Sequence, residues 1–392
     1  MQQRHLAYLT AGHLFTDLNQ GAVPAMLPFL ITEHGLSYAA AAGLVLAANA
    51  ASSIAQPLFG HFSDKLAKPW MMPFGVLLAG LGVALAGIAP TYWLIVLALS
   101  ISGLGVACFH PEAVRLANAV SGDKKATGVS IFGVGGNGGF ALGPILATTA
   151  MLIWGLKGTL FLLIPAILMS ALLYSRKDDF AQFISVKPKK TATETVEMQD
   201  EWGPFSRLST VVICRSTIFH GLNTFIPLYW IHVLSQSNTA GSTALTVLFG
   251  VGLIGTIVGG RLADRFGYTN IVRLGFTALI PLLLVFVTMH DTRIMLGLLA
   301  LIGLMLFAPY SPTIVLGQKY LPARMGLASG VTLGLAVSVG GVVVPALGWL
   351  ADHYGLQMAL NVLAGVAVVT SAMAFTLPTP RVDRLKAGTL KA

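Results

Sequence analysis

Runs of about 20 apolar residues recur along almost the whole chain, separated by short polar breaks. That periodic alternation is the tightest constraint the sequence carries. A hydrocarbon layer offers no partner to a backbone amide, so each run must satisfy its own N–H and C=O groups, and only a helix does that within one segment. The runs lack the period-two alternation of an outer-membrane barrel. Water is excluded as the solvent by composition. Only 10% of residues are charged and 55% are hydrophobic, whereas a soluble domain carries about 25% charged residues to cover its surface. The reading is an all-α integral membrane protein. Twelve transmembrane helices are expected, at roughly 6–30, 37–61, 70–89, 92–117, 126–150, 157–175, 207–233, 243–263, 269–289, 293–317, 326–350 and 356–377. The only long connection, 176–206, carries charges of both signs and no apolar face. It reads as a solvated linker between six-helix bundles at 1–175 and 207–392.

Lys and Arg fix the expected orientation. With the N-terminus placed in the cytoplasm, only Lys157 and Arg293 fall outside and Arg215 lies within a span; the rest of the 24 Lys and Arg fall inside. Such a bias puts both termini in the cytoplasm. It also accounts for the net charge of +9 without nucleic acid as a partner. The first apolar run is too long for a signal-peptide core and carries His13 and Asp17, so it reads as a span. Cys108 and Cys214 sit inside apolar runs and read as inert thiols, with no metal site implied.

The strongest local signal is a repeat. GHFSDK at 60–65 and GRLADRFG at 260–267 follow the second span of each half, 200 residues apart. A small residue at a helix end allows close approach, and a carboxylate there can hold basic groups of a neighbour. Gly60, Asp64, Lys65, Gly260, Asp264 and Arg265 are therefore candidate gating residues. The pattern resembles the loop motif of the major facilitator superfamily. That resemblance implies two homologous halves around a central substrate pathway, with alternating access.

Span 5 contains GVGGNGGFALGP at 133–144. Gly133, Gly135 and Gly138 spell GxGxxG, but no strand precedes it and no soluble domain surrounds it, so a dinucleotide site is excluded. Gly135, Gly139 and Gly143 recur one turn apart and read as a close helix-packing face, with Pro144 bending the helix. Gly139-x-x-x-Gly143-Pro144 also resembles the span-5 motif of major facilitator antiporters.

Ionisable groups inside spans are expensive and mark function. Asp17 lies in span 1, with His13 one turn before it and Gln20 on the same stripe. Asp17 is the candidate proton-coupling acid and His13 its modulator; the alternative is a structural acid hydrogen-bonded across spans. Arg215, in span 7, offers a guanidinium fork for an anionic substrate, for Asp17 or, by snorkelling, for the interface. Gln20, Asn223 and His220 are further candidates for the substrate path; His220 and His232 also suit ordinary packing. In CFHPEAVR at 108–115, Pro111 predicts a kink. Glu112 and Arg115 can pair at i, i+3 on the helix surface or act as a gate.

Taken together, HLFTDLNQGAVPAMLPFL at 13–30, QPLFGHFSDK at 56–65, CFHPEAVRLA at 108–117 and IFGVGGNGGFALGP at 131–144 resemble the fosmidomycin-resistance family of major facilitators. The resemblance covers the N-terminal half best. It implies proton-driven export of small drugs, anionic ones included, by a monomer in a bacterial inner membrane, with no cofactor. One feature departs from drug/proton antiporters, which carry an Arg in span 4 where Leu99 stands here. Coupling then falls to Asp17, Glu112, Arg115 or Arg215. Uptake or exchange of a metabolite is the alternative use of the same fold. There is no GxxxxGK[ST] loop for ATP, no HExxH and no nucleophile elbow, which argues against an enzyme.

Overall fold

The computed structural model describes residues 2–66, 69–122, 125–184, 199–324, 327–328, 331–332, 336–381 and 383; within these, the side chains of 57, 60–66, 125–127, 130, 184 and 336–338 are left undescribed. Among the described residues every regular element is helical. The helices are α1 (Gln3–His34), α2 (Tyr38–Leu66), α3 (Met71–Ala86), α4 (Tyr92–Val120), α5 (Lys125–Trp154), α6 (Leu163–Ser175) and α7 (Lys177–Ile184). They continue with α8 (Trp202–His232), α9 (Asn238–Phe266), α10 (Tyr268–Thr288), α11 (Thr292–Phe307), α12 (Tyr310–Tyr320), α13 (Ala336–Val342), α14 (Val344–Tyr354) and α15 (Leu356–Phe375). A 3-10 segment, Gly155–Leu162, joins α5 to α6.

Among the described residues, eight helical stretches are long and apolar enough to cross a membrane. At 32 residues α1 has the length, but it carries Thr10, His13, Thr16, Asp17, Asn19 and Gln20 and stays outside that set. The eleventh expected span falls partly outside the described residues. Its described portion is split into the short α13 and α14.

The helices group into two compact units. One holds Met1–Lys189 with Ile226–Phe249, the other Lys190–Phe225 with Gly250–Ala392. In the first unit α1 packs against α5 more extensively than any other described pair of helices meets. The sequence shows why. A Cβ on Gly135, Gly139 or Gly143 would run into the backbone carbonyl of Thr10, Leu14 or Leu18 respectively. Successive turns of α5 thus sit directly on successive turns of α1, as small residues allow where no hydrophobic force drives helices together. α5 runs on through Pro144. In the same unit Thr246 donates to Ala141 O at 2.6 Å and Phe140 lies 5.5 Å from Phe249, which ties the start of α9 to α5.

The 176–206 segment is not wholly a solvated linker. Lys177–Ile184 forms α7, and Phe180 is fully buried in a cluster with Leu6, Phe109, Leu116 and Phe132. Phe180 and Phe183, three apart on one helix face, supply the apolar surface that the surrounding charges masked in the sequence. The remainder, 185–198, lies outside the described residues.

The repeat extends from motifs to hydrogen bonds. Ser37 Oγ accepts from Ala40 N at 3.1 Å, and Ser237 Oγ accepts from Ala240 N at 3.2 Å. Thr91 caps α4 through Leu94 N, and Asp291 caps α11 through Ile294 N. Gln2 N donates to Val120 O at 2.7 Å, as Glu201 N does to Tyr320 O at 2.6 Å. The two halves therefore start and stop corresponding helices by the same side-chain and backbone devices. In the second unit Arg273 and Arg207 donate to Ala374, Leu377 and Thr376 carbonyls and so satisfy the otherwise orphaned C-terminus of α15.

Candidate functional site

The i, i+4 spacing of His13 and Asp17 places both on one face of α1. His13 Nε2 lies 3.1 Å from Asp17 Oδ2. From α4, His110 Nε2 approaches the other carboxylate oxygen, Oδ1, at 3.3 Å. Asp17 is 5% exposed, in the body of a membrane-length helix.

α5 completes the site with backbone and an aromatic ring. Phe132 stacks on the His13 ring at 4.1 Å, and its carbonyl accepts from His13 Nδ1 at 2.8 Å. One residue therefore sets both the plane and the tautomer of His13. The His110 ring is turned edge-on to His13 at 5.0 Å and its Nδ1 donates to Val106 O at 3.0 Å. Gly136 makes the room: a Cβ there would stand 2.5 Å from His13 Nε2 and 2.6 Å from Asp17 Oδ2. In the sequence Asp17 and His13 stand out as polar groups in one apolar run, whereas His110 appears only as a letter of CFHPEAVR at 108–115 and Phe132 and Gly136 carry no signal. No local pattern links them, because they come from different helices.

Arg215 sits in the second unit, in the middle of α8, 5% exposed. Its Nε donates to Leu306 O at 3.0 Å, and its guanidinium lies 4.9 Å over the Tyr310 ring and 5.6 Å from the Phe307 ring. Leu306 is in the last turn of α11, where carbonyls lack donors within the helix and a cation is favoured. Within its own unit Arg215 is held by the Leu306 carbonyl and the two aromatic rings. Further along α8, Asn223 Oδ1 and Thr224 Oγ1 are buried and have no hydrogen-bond partner among the described residues. His220 is buried and turned edge-on to Phe219 at 5.0 Å. Gln20 is half-buried on α1.

The Glu112–Arg115 pair is not a surface pair. Glu112 is fully buried and takes the Arg115 fork through both oxygens, Nη2 to Oε1 at 2.5 Å and Nε to Oε2 at 3.2 Å. α4 continues as one helix through Pro111. Removing one partner of a buried ion pair costs about 3–5 kcal/mol. Arg115→Leu is therefore expected to lower the thermal unfolding midpoint in detergent sharply. An unchanged midpoint would show that other groups compensate Glu112.

Of the repeated loop residues, Gly60, Asp64 and Lys65 have side chains outside the described residues. In the second copy Asp264 Oδ1 accepts from Tyr268 OH at 2.6 Å, Arg265 lies over Phe266 at 5.2 Å, and Gly260 is on α9. Asp264 thus holds the start of α10 through a hydroxyl rather than a basic group. Lys319 lies 4.4 Å over the Tyr268 ring and pairs with Asp383 at 2.7 Å, so the loop, α12 and the segment after α15 meet at one place.

The profile of the Major Facilitator Superfamily matches residues 9–345. This chain belongs to that superfamily. This facilitator is 32% identical over 374 residues to the Uncharacterized MFS-type transporter YfnC of Bacillus subtilis (strain 168), spanning 94% of this chain and 91% of that one. It is 28% identical over 368 residues to the Fosmidomycin resistance protein of Escherichia coli (strain K12), spanning 92% and 89%. Among solved structures, a bacterial homolog of the human lysosomal transporter Spinster, in an inward-facing and occupied conformation, superposes with a TM-score of 0.81 at 14% identity over 97% of each chain. The nucleoside transporter NupG superposes at 0.74, also at 14% identity, over 95% of this chain and 99% of its own. At these identities the solved structures establish the fold alone, all-helical and multi-pass; membership of the superfamily makes the facilitator a membrane transporter and not an enzyme.

Proposed function

We propose that this facilitator exports a small, amphipathic, anionic compound from a bacterial cell in exchange for protons. The observation that carries the reading is Asp17, a buried carboxylate inside a membrane-length helix, with an imidazole 3.1 Å from one oxygen and another 3.3 Å from the other. Such a group is expensive to keep in hydrocarbon unless a pathway reaches it. Asp17 is the coupling acid and His13 its modulator, and the proton gradient supplies the energy in place of a cofactor. Arg215 is the substrate's cationic partner. Its Nε is spent on Leu306, which leaves the rest of the fork for a phosphonate or carboxylate. Asn223, His220 and Gln20 line the path. The likeness to a fosmidomycin resistance protein supports export of that compound class. The two Gly-x-x-x-Asp loops and the Glu112–Arg115 pair gate access at the basic ends of the helices. The protein acts as a monomer in the inner membrane with both termini in the cytoplasm.

The test is substrate-induced proton movement in proteoliposomes, with fosmidomycin and a panel of uncharged drugs set against an imposed pH gradient. Fosmidomycin-dependent proton flux supports antiport. Drug movement without protons would replace it by exchange or facilitated diffusion. Arg215→Lys keeps the charge and loses the fork. It is expected to raise the half-saturating fosmidomycin concentration by about tenfold, the worth of one charge-assisted hydrogen bond. Uncharged compounds should be unaffected. Equal loss for both classes would remove Arg215 from substrate recognition.

A further inference from the structure

The cluster on α1 and α4 has a donor pattern that protons alone do not require. His13 Nδ1 faces Phe132 O and His110 Nδ1 faces Val106 O. A carbonyl only accepts, so each Nδ1 carries the hydrogen, and each neutral ring then presents its lone pair at Nε2. Both Nε2 atoms lie beside the Asp17 carboxylate, at 3.1 and 3.3 Å. Among the described residues no group donates a hydrogen bond to the buried Asp17 Oδ1. Two imidazole lone pairs and a carboxylate thus converge with no donor hydrogen between them when the rings are neutral, and the three ligand atoms lie within 4.8 Å of one another.

We propose that His13, Asp17 and His110 bind one divalent transition-metal ion of the zinc class. Three observations carry this. The ligand atoms are two Nε2 and one carboxylate oxygen, a set suited to Zn²⁺, Co²⁺ or Ni²⁺, whereas Ca²⁺ and Mg²⁺ demand six or more oxygens. Each imidazole has its other nitrogen held by a backbone carbonyl, the outer support that orients histidine ligands in metal centres. The spacing is within reach: metal–ligand bonds of about 2.0–2.2 Å set neighbouring tetrahedral ligands roughly 3.3–3.5 Å apart, each Nε2 already approaches one carboxylate oxygen at 3.1 or 3.3 Å, and one ligand atom from each of the three residues lies within 4.8 Å of the others. Gly136 keeps the centre open by adding no side chain. The His13 and His110 side chains remain 12% and 19% exposed, which leaves a route in. Three protein ligands leave a fourth position for water or for an anionic group of a transported compound. The inference goes beyond proton coupling and stands on the placement of the three side chains alone.

The test is a Co²⁺ titration of the full-length chain, purified in detergent without a polyhistidine tag. The expected result is one Co²⁺ per chain, with visible absorption of a low-coordinate site that Zn²⁺ abolishes. His110→Ala and Asp17→Asn should each weaken binding by at least about a hundredfold, since even outer-shell changes cost 10–100-fold. Both variants are first checked for monodisperse elution and wild-type helicity. The wild-type titration decides the matter if they fail to fold: absence of saturable binding overturns the proposal. So does binding that persists undiminished in the folded variants, which would place the ion on other histidines. Proton flux measured in parallel, with a chelator present, separates this inference from the coupling reading. Flux lost in Asp17→Asn while wild type binds no Co²⁺ overturns the metal site alone. Stoichiometric Co²⁺ with flux retained in Asp17→Asn overturns the coupling role alone.

Discussion

Asp17→Asn is expected to leave the protein folded and to abolish substrate-driven proton movement. Asparagine nearly matches the carboxylate in shape, so the contacts of α1 with α4 and α5 are kept and no unpaired buried charge is created. It cannot bind or release a proton in any accessible range. His13 and His110 remain, each anchored through Nδ1 to a carbonyl, but the group they share is gone. In proteoliposomes the variant should show no proton flux on addition of fosmidomycin, while exchange of labelled fosmidomycin across the membrane continues. That split distinguishes a coupling acid from a structural one, because a structural acid would take both activities down together. Full proton-driven transport by Asp17→Asn would return Asp17 to a packing role.

The glycines of α5 should divide into three groups by their response to substitution with alanine. A Cβ on Gly139 or Gly143 meets α1 backbone, at Leu14 and Leu18, which has nowhere to move without shifting a helix. Overpacking of this kind costs about 1–3 kcal/mol per site, and Gly139→Ala and Gly143→Ala should unfold at clearly lower temperature in detergent. On the same helix, a Cβ at Gly133 meets nothing within 4 Å, and one at Gly138 meets only Leu14 Cδ1, at 3.5 Å. Gly133→Ala should be neutral or stabilising by up to about 1 kcal/mol, because alanine restricts the unfolded chain and favours helix. Gly136→Ala forms a third case. The three atoms nearest its new methyl are side-chain ends of His13 and Asp17 rather than backbone, and side-chain ends can swing away, so the fold should survive while the cluster is broken. Matching melting temperatures for Gly133→Ala and Gly139→Ala would dismiss the packing account.

These glycines mark where reading the sequence stops. Their spacing shows that α5 has a face of small residues, and the i, i+4, i+8 series at Gly135, Gly139 and Gly143 says that some helix lies close to it. It does not say which helix, nor that Gly136, one residue off that face, clears space for a charged cluster. Asp17 was legible for a general reason: an acid in an apolar run is costly wherever its helix packs. His110 was not legible as its partner, because meeting Asp17 depends on the rotation and depth of α4 against α1. Arg215 was likewise visible as a cation in a span, but its seat on the last turn of α11, over Tyr310 and Phe307, was not. Phe180 shows the opposite error, an apolar contact hidden in a segment whose charges read as linker.

The sequence by itself determined the all-helical membrane class and the repeat of the two halves. Those follow from one-dimensional requirements: a hydrocarbon layer of fixed thickness sets the length and polarity of each span, and the same span pattern recurs with the same loop motif after the second span of each half. Only the tertiary structure decided which side chains share a site. His13, Asp17, His110 and Gly136 converge because three helices pack at particular rotations, and that depends on long-range contacts between backbones that no local pattern of residues specifies.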